Sequence, residues 1–596
     1  MAKRPINYTS RDFEAIKNDL QNYAKRYYPS TFRDFSEASF GALMLDMVAY
    51  VGDQLSFYTD FHANESFLDS AIRYDNVIRL SESLGYKFQG KAKSTGRVAL
   101  YALIPAENGI PDASYYPILK GGTLFSGRGG SFFTLVSDVD FSNPANEITV
   151  ARTSTTTGSP TYFAVKAYGQ VISGQQFSED IDVGNYTRFL RLRLERSSIT
   201  EVLSIKDSQG NEYYEVEHLS QDVVMSQLKN TSDYSRDAVP YTIRTKPVPR
   251  RFITDFTPEG ETYIQFGYGS SENLTNNLIA DPADVVLNVD SKPYVTELTF
   301  DPTNLIKTDK FGVVPTNTTL TVEYTANSQG TTNAPAKSVD TIVSPVFMFL
   351  DRATLSETVV AEVISSIEVE NEEPILGEID TLTAEEIRTR AFGTFAAQNR
   401  AVTREDYINL VYRMPAKFGK IKRVNVIRDE DSLKRNLNLY LLSENFSKNL
   451  TAPNTLMKEN VKMWLENYKM VNDTIDILDA KIINIGINFR ISADLGANKY
   501  QVLQDCTDKI TNNYLNVKFQ IGEHLQISDI YKLLNQVPGV SDTTYVEFSN
   551  KVGGLYSNYV FDVTENTSSD GRFLVIPQNS VAEVLFPETD IVGVVT

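Results

Sequence analysis

The chain has 596 residues, 41% of them hydrophobic and 22% charged. That is apolar material for several cores, about four at roughly 150 residues per domain, and it excludes a disordered or fibrous chain. A net charge of −19 excludes bulk attraction to nucleic acid or to an anionic membrane, because binding phosphate takes clustered cations.

The N-terminal 1–92 read as helical. Thr9-Ser-Arg-Asp12 resembles a capping box opening a first helix to about Tyr27, before Pro29. A second helix, Ser36 to Phe61, carries Phe40, Leu43, Met44, Met47, Tyr50, Val51, Leu55 and Tyr58 at three- and four-residue steps, with Asp46, Asp53 and Asp60 on other faces. A third, Ile72 to Leu84, should stop at Gly85. The apolar stripe of the second helix is too wide to stay wet. Either a self-contained three-helix bundle or another molecule must cover it.

Residues 93–350 read as antiparallel β-rich domains. Short runs (Arg97 to Leu103, Ser131 to Val136, Phe189 to Leu194, Thr262 to Phe266, Leu320 to Tyr324) alternate between turn residues. Ser208-Gln-Gly-Asn211 predicts a hairpin turn. Residues 351–420 read as a charged helical connector: 357–386 hold ten acidic and no basic side chains, whereas 388–428 hold ten basic and two acidic. Thr383-Ala-Glu-Glu386 and Thr403-Arg-Glu-Asp406 each have capping-box spacing. Residues 421–550 read as a two-layer α+β domain. In its strand Ile483, Ile485, Ile487, Phe489 and Ile491 alternate with Asn484, Gly486, Asn488 and Arg490, the mark of a half-buried strand. Residues 551–596 form a β tail that must dock, because Phe573, Leu574, Val575, Ile576, Val584, Leu585 and Phe586 are too apolar for water. The fold class is thus multi-domain α+β.

No catalytic, cofactor or metal residue stands out. Gly85-Tyr-Lys-Phe-Gln-Gly90-Lys91 has phosphate-loop spacing, but Ala92 holds the hydroxyl position and helix precedes strand, the reverse of what such a loop needs. Gly267-Tyr-Gly269 and Gly121-Gly122 read as turn glycines supplying positive φ. Adjacent carboxylates (Glu372-Glu373, Glu385-Glu386) do not face one another across a cleft as a glycosidase requires. Cys506 falls on a helix's apolar side and reads as a buried small hydrophobe. His62, His218 and His524 lie far apart in unremarkable company. The amino terminus lacks the apolar run of a signal peptide and no stretch approaches about 18 apolar residues, so a soluble protein made in a reducing cytosol is expected. With 32 Tyr, 32 Phe and one Trp, opposed charge blocks and long amphipathic helices, the profile is that of an assembly component.

Several stretches, in order, resemble the baseplate J-like family of contractile tails. They are Asp34-Phe-Ser-Glu-Ala-Ser-Phe-Gly-Ala-Leu-Met-Leu-Asp-Met-Val-Ala-Tyr50, Asp60 to Ala71, Leu80-Ser-Glu-Ser-Leu-Gly-Tyr86, and Ile118-Leu-Lys-Gly-Gly-Thr-Leu-Phe125 with Phe132-Phe-Thr134. Ile264-Gln-Phe-Gly-Tyr-Gly269 follows, with Tyr268 where the family has Asp; then Asn371 to Gly377, Glu385 to Arg390, Arg400 to Tyr407, and Val537-Pro-Gly-Val540. The resemblance implies a virion structural protein, not an enzyme, located in the tail baseplate and assembled in the host bacterial cytoplasm. It implies dimerisation within a wedge, wedges closing into a ring around a central hub, and N-terminal helices bundled with a larger wedge protein. It further implies a link to a small sheath-initiating wedge protein, and rearrangement when the sheath contracts and the genome is delivered. It implies no cofactor and neither nucleic acid nor membrane as partner. Interface residues are expected at Phe40, Leu43, Met44, Met47, Tyr50, Val51, Leu55 and Tyr58, and at Arg400, Arg404, Asp406 and Tyr407. A receptor-binding adhesin would show repeats, and a cell-wall hydrolase would need a carboxylate pair in a cleft.

Overall fold

The computed structural model describes residues 12–29, 39–128, 130–156, 158–229, 241–269, 311–327, 332–429, 436–514 and 519–596. The chain forms two compact units. One comprises Met1–Phe88, Asp380–Arg413 and Tyr468–Val471; the other comprises Gln89–Ile379, Met414–Asn467 and Asn472–Thr596.

The first unit is helical: α1 (Phe13–Tyr27), α2 (Phe40–Glu65) and α3 (Tyr74–Ser83) from the amino terminus. The cap of α1 is Asp12, whose carboxylate accepts from the Ala15 amide at 2.9 Å, so the helix opens later than a cap at Thr9 would have it. Thr9 itself, and the expected start of α2 at Ser36, lie outside the described residues; Ser39 caps α2 through the Ala42 amide. Gly85 ends the α3 region at φ +87°, as its position predicts.

The second unit begins with an eight-stranded antiparallel sheet built on the long pair Thr95–Glu107 and Pro160–Ser173. Its core of Val98, Leu100, Ile104, Phe125, Phe133 and Val165 is capped by a helix, α4 (Glu357–Ser365), through Val360 and Val363. A seven-stranded sheet follows, in which Ile199–Asp207 pairs with Thr318–Ala326 and Ile205, Phe252, Phe266 and Val322 are buried beneath. The predicted turn at Ser208–Asn211 joins Ile199–Asp207 to Glu212–Glu215.

The segment 351–420, expected as one connector, is divided. α4 and the strand Glu368–Glu370 belong to the first sheet. The helices α5 (Ala384–Ala397) and α6 (Arg404–Tyr412) belong to the helical unit. Periodicity reports which face of an element is apolar, not which body it joins, so this partition had no local signal.

Two further sheets close the chain. Asn436–Glu444 and Thr474–Asp479 run parallel, joined through α7 (Thr455–Glu466). The strand Lys481–Ala493 pairs with Val540–Asn550, under α8 (Lys499–Tyr514) and α9 (Ile527–Leu534). On its other edge the tail adds Ser580–Glu583 and Ile591–Val595, both parallel, so residues 551–596 complete the sheet of their own chain. The strand is therefore not half-buried along its length. Asn484 and Gly486 on its polar side are covered too: the Asn484 side chain accepts from the Ser557 amide at 2.8 Å, and a Cβ on Gly486 would meet Lys551 at 2.6 Å.

Candidate assembly surface

A run of exposed large apolar side chains lies on α2. The helix turns its small residues inward: Ala42 and Ala49 are buried, and a Cβ at Gly52 would stand 3.3 Å from the Ile16 side chain of α1. Lys17 on α1 meets Asp46 at 2.7 Å. The two helices thus close along alanine, glycine and an ion pair, and the large side chains point away. Phe40, Leu43, Met47, Tyr50, Val51, Leu55 and Tyr58 are 54–72% exposed and Met44 45%. Tyr23 and Tyr27 on α1, with ring centroids 4.7 Å apart, are also more than half exposed. Monomeric proteins seldom leave so many large apolar side chains on one helix, and such patches mark contact sites. Among the described residues no element covers this face.

The base of α2 is held by one carboxylate. Glu65 accepts from the amides of Ile72 (2.7 Å) and Arg73 (3.2 Å) and from the Asn76 side chain (2.7 Å), tying α2 to the start of α3. Burial pushes its carboxyl up, but the bonds from Asn76, Ile72 and Arg73 and the Arg73 charge outweigh that and hold it below the ordinary 4.5.

α5 and α6 form a tight hairpin beside α3. Both predicted capping boxes are present, Thr383 with Glu386 and Thr403 with Asp406. Arg388 donates to the carbonyl oxygens of Leu68 (2.8 Å) and Ala71, and the Tyr74 hydroxyl donates to Leu382 (3.0 Å). The Arg390 guanidinium lies 4.2 Å from the Tyr412 ring centre, and the nearby Tyr86 hydroxyl is pushed up by burial. These contacts change the reading of the charged segment. Tyr407 is 1% exposed, a core residue of α6, and the Asp406 carboxylate is engaged by the Thr403 amide at 2.8 Å. Tyr407 is therefore no surface contact, whereas Asp406 is half-buried. Arg400 and Arg404 are exposed, near Phe395 and Val402 in the chain, which are exposed as well. Phe395 and Val402 escaped the sequence reading, which followed the charges.

Among the described residues no group of His, Cys, Asp and Glu could hold a metal ion, and no helix is long and apolar enough to cross a membrane. The glycine-rich stretch after α3 packs: a Cβ on Gly90 would lie 2.7 Å from the Phe256 ring. Gly122 has the positive φ expected of it, but Gly267 serves another need, since its Cβ would stand 2.1 Å from the Phe311 carbonyl. His524 has defined partners, accepting from the Ile576 amide at 3.1 Å and stacking on Phe573.

Residues 12–83, the stretch holding α1 to α3, match the family model described as "Bacteriophage baseplate protein, N-terminal domain". The match is confined to that stretch. Comparison with curated proteins gives no match. Among solved structures, the anti-feeding prophage baseplate aligns at 12% identity over 96% of this chain and 98% of that one, with a TM-score of 0.26. The TssK-TssF-TssG baseplate subcomplex of the type VI secretion system aligns at 9% identity over 74% and 96%, with a TM-score of 0.23. Superpositions that loose transfer no residue and no role.

Proposed function

We propose that this chain is a wedge subunit of a contractile tail baseplate, of the baseplate J-like kind and similar to the wedge protein, gene product six, of T4-like phages. In this reading it dimerises within a wedge, links wedges into a ring around the central hub and transmits the change that triggers sheath contraction and genome delivery. It contacts a larger wedge protein through α1 and α2 and a small sheath-initiating protein elsewhere. It catalyses nothing.

The observation that carries the proposal is the uncovered apolar face of α2, lying inside the stretch similar to a baseplate N-terminal domain. Exposed apolar area of this kind is stable in water only as a prelude to burial against a partner, and permanent assemblies bury on the order of 2,000–5,000 Å² per interface. The test is the oligomeric state by light scattering at micromolar concentration, alone and with the other wedge proteins. A dimer that grows into a larger complex is expected; a monomer that associates with none of them overturns the reading.

A further inference from the structure

Where the eight-stranded sheet, the seven-stranded sheet and the C-terminal α+β domain meet, the chain buries polar side chains in place of apolar ones. We infer that this junction is a mechanical coupling that makes the three domains one rigid body, with Asn333 as its hub.

Asn333 is 2% exposed and uses its whole amide. Its Nδ2 donates to the carbonyls of Glu378 (2.8 Å) and Glu444 (2.9 Å); its Oδ1 accepts from the Glu378 amide (3.1 Å) and the Ser94 hydroxyl (2.8 Å). An asparagine has two donors and two acceptor lone pairs, so the side chain is saturated. Ser94 immediately precedes the long strand of the first sheet, and Glu444 ends a strand of the C-terminal domain. One residue therefore joins two domains through four bonds.

The second sheet is tied in from the same place. Lys93, 1% exposed, reaches Glu201 on Ile199–Asp207. Ser173, at the end of its strand, donates to Asn327 at 2.9 Å, just past the end of Thr318–Ala326. A third tie repeats the logic of the first: Asn454, the cap of α7, donates to Thr95 (2.7 Å) and Pro374 (3.0 Å) while accepting from the Met457 amide (2.9 Å). The backbone is fitted as closely. Gly377 sits at φ +142°, where a Cβ would be 2.4 Å from the Lys93 carbonyl, and the Lys420 amide donates to the Gly377 carbonyl at 2.9 Å.

Apolar faces slide past one another with little directional penalty, whereas buried amides as fully bonded as those of Asn333 and Asn454 hold one geometry, and shifting them strands several groups at once. Such a joint resists sliding and hinging alike. The proposal does not depend on the baseplate reading.

The test is hydrogen exchange of the full chain in sub-denaturing urea, followed at three core amides: Val98, Val322 and Leu439. The wild type is expected to open all three at one common rate, with the Lys93 and Glu378 amides matching them. In Asn333→Leu the Leu439 core should separate from the Val98 and Val322 cores, their rates differing by at least tenfold, while Val322→Ala should accelerate all three together. A wild type whose three cores already open at different rates overturns the coupling, and so does an Asn333→Leu chain that keeps one rate. Should Asn333→Leu fail to fold, Asn333→Asp and the wild-type comparison decide the matter alone.

Discussion

Leu43→Asp and Met47→Asp separate a contact face from a core. Both side chains are a little over half exposed in the isolated chain. A charge at such a site changes folding stability by about 0.5 kcal/mol or less, the usual range for exposed positions. In an assembled interface the same change acts differently. Covering the exposed half of a Leu or Met is worth roughly 1 kcal/mol at about 25 cal/mol per Å². Burying a carboxylate without a partner adds on the order of 2 kcal/mol or more. The combined loss of about 3 kcal/mol weakens association more than 100-fold, since about 1.4 kcal/mol is a factor of ten. Ala49→Asp is the control, because Ala49 is fully buried on the opposite side of α2 and its substitution should unfold the helix pair. The assay pairs urea denaturation of the isolated chain with sedimentation of the chain mixed with the remaining wedge proteins. Leu43→Asp should denature like wild type and fail to co-sediment. If it is destabilised as severely as Ala49→Asp, the stripe is internal; if it co-sediments with unchanged affinity, no partner covers it. Either result refutes the reasoning.

Three other outcomes follow from single contacts. Glu65 is held below its ordinary pKa, so the stability it contributes is full above pH 4.5 and drains as the pH falls beneath that; Glu65→Gln should cost about 1–3 kcal/mol at pH 7 and flatten the acid limb of a stability–pH curve. Gly393→Ala places a Cβ 2.0 Å from Asn409 Oδ1 between α5 and α6; it should lower stability by about 1–3 kcal/mol, with Asn409→Ala in the same chain restoring most of the loss in a double-mutant cycle. Burial first, and the Asp505 charge second, push the Cys506 thiol up to about 11; a thiol reagent at pH 8 should label it only in urea, and rapid labelling of the native chain would contradict its place in the core.

How much of this was legible depends on whether the signal was local. Both capping boxes could be read from four residues each, because the cap and the helix's third residue satisfy one another without outside help. The strand Thr262–Phe266 stands at the predicted bounds for a like reason: it carries its period within its own span. The strand at 481–493 was legible as a strand but not in its surroundings. Asn484 looks like a solvent-facing residue until a tail a hundred residues later covers it, and no pattern in a dozen residues records that. Tyr407 failed in the opposite direction. It stands in a basic block that invites an interface reading, yet α6 buries it with Leu410 and Val411.

The same distinction explains why the α2 face was found and the polar junction was not. An apolar stripe announces itself by residue type, since burial of Leu, Met and Phe is the default and its absence is the news. A buried asparagine has no such mark: only the partners of Asn333 and Asn454, in three instances more than a hundred positions away, show that they join domains. Assembly surfaces are therefore readable from composition along one helix, whereas stiffness is a property of contacts between distant segments. A subunit that passes a conformational change between neighbours needs both, a sticky face to receive the load and a joint that does not give. In this chain the two are built from opposite chemistry, exposed hydrocarbon on α2 and fully paired amides at the junction of three domains.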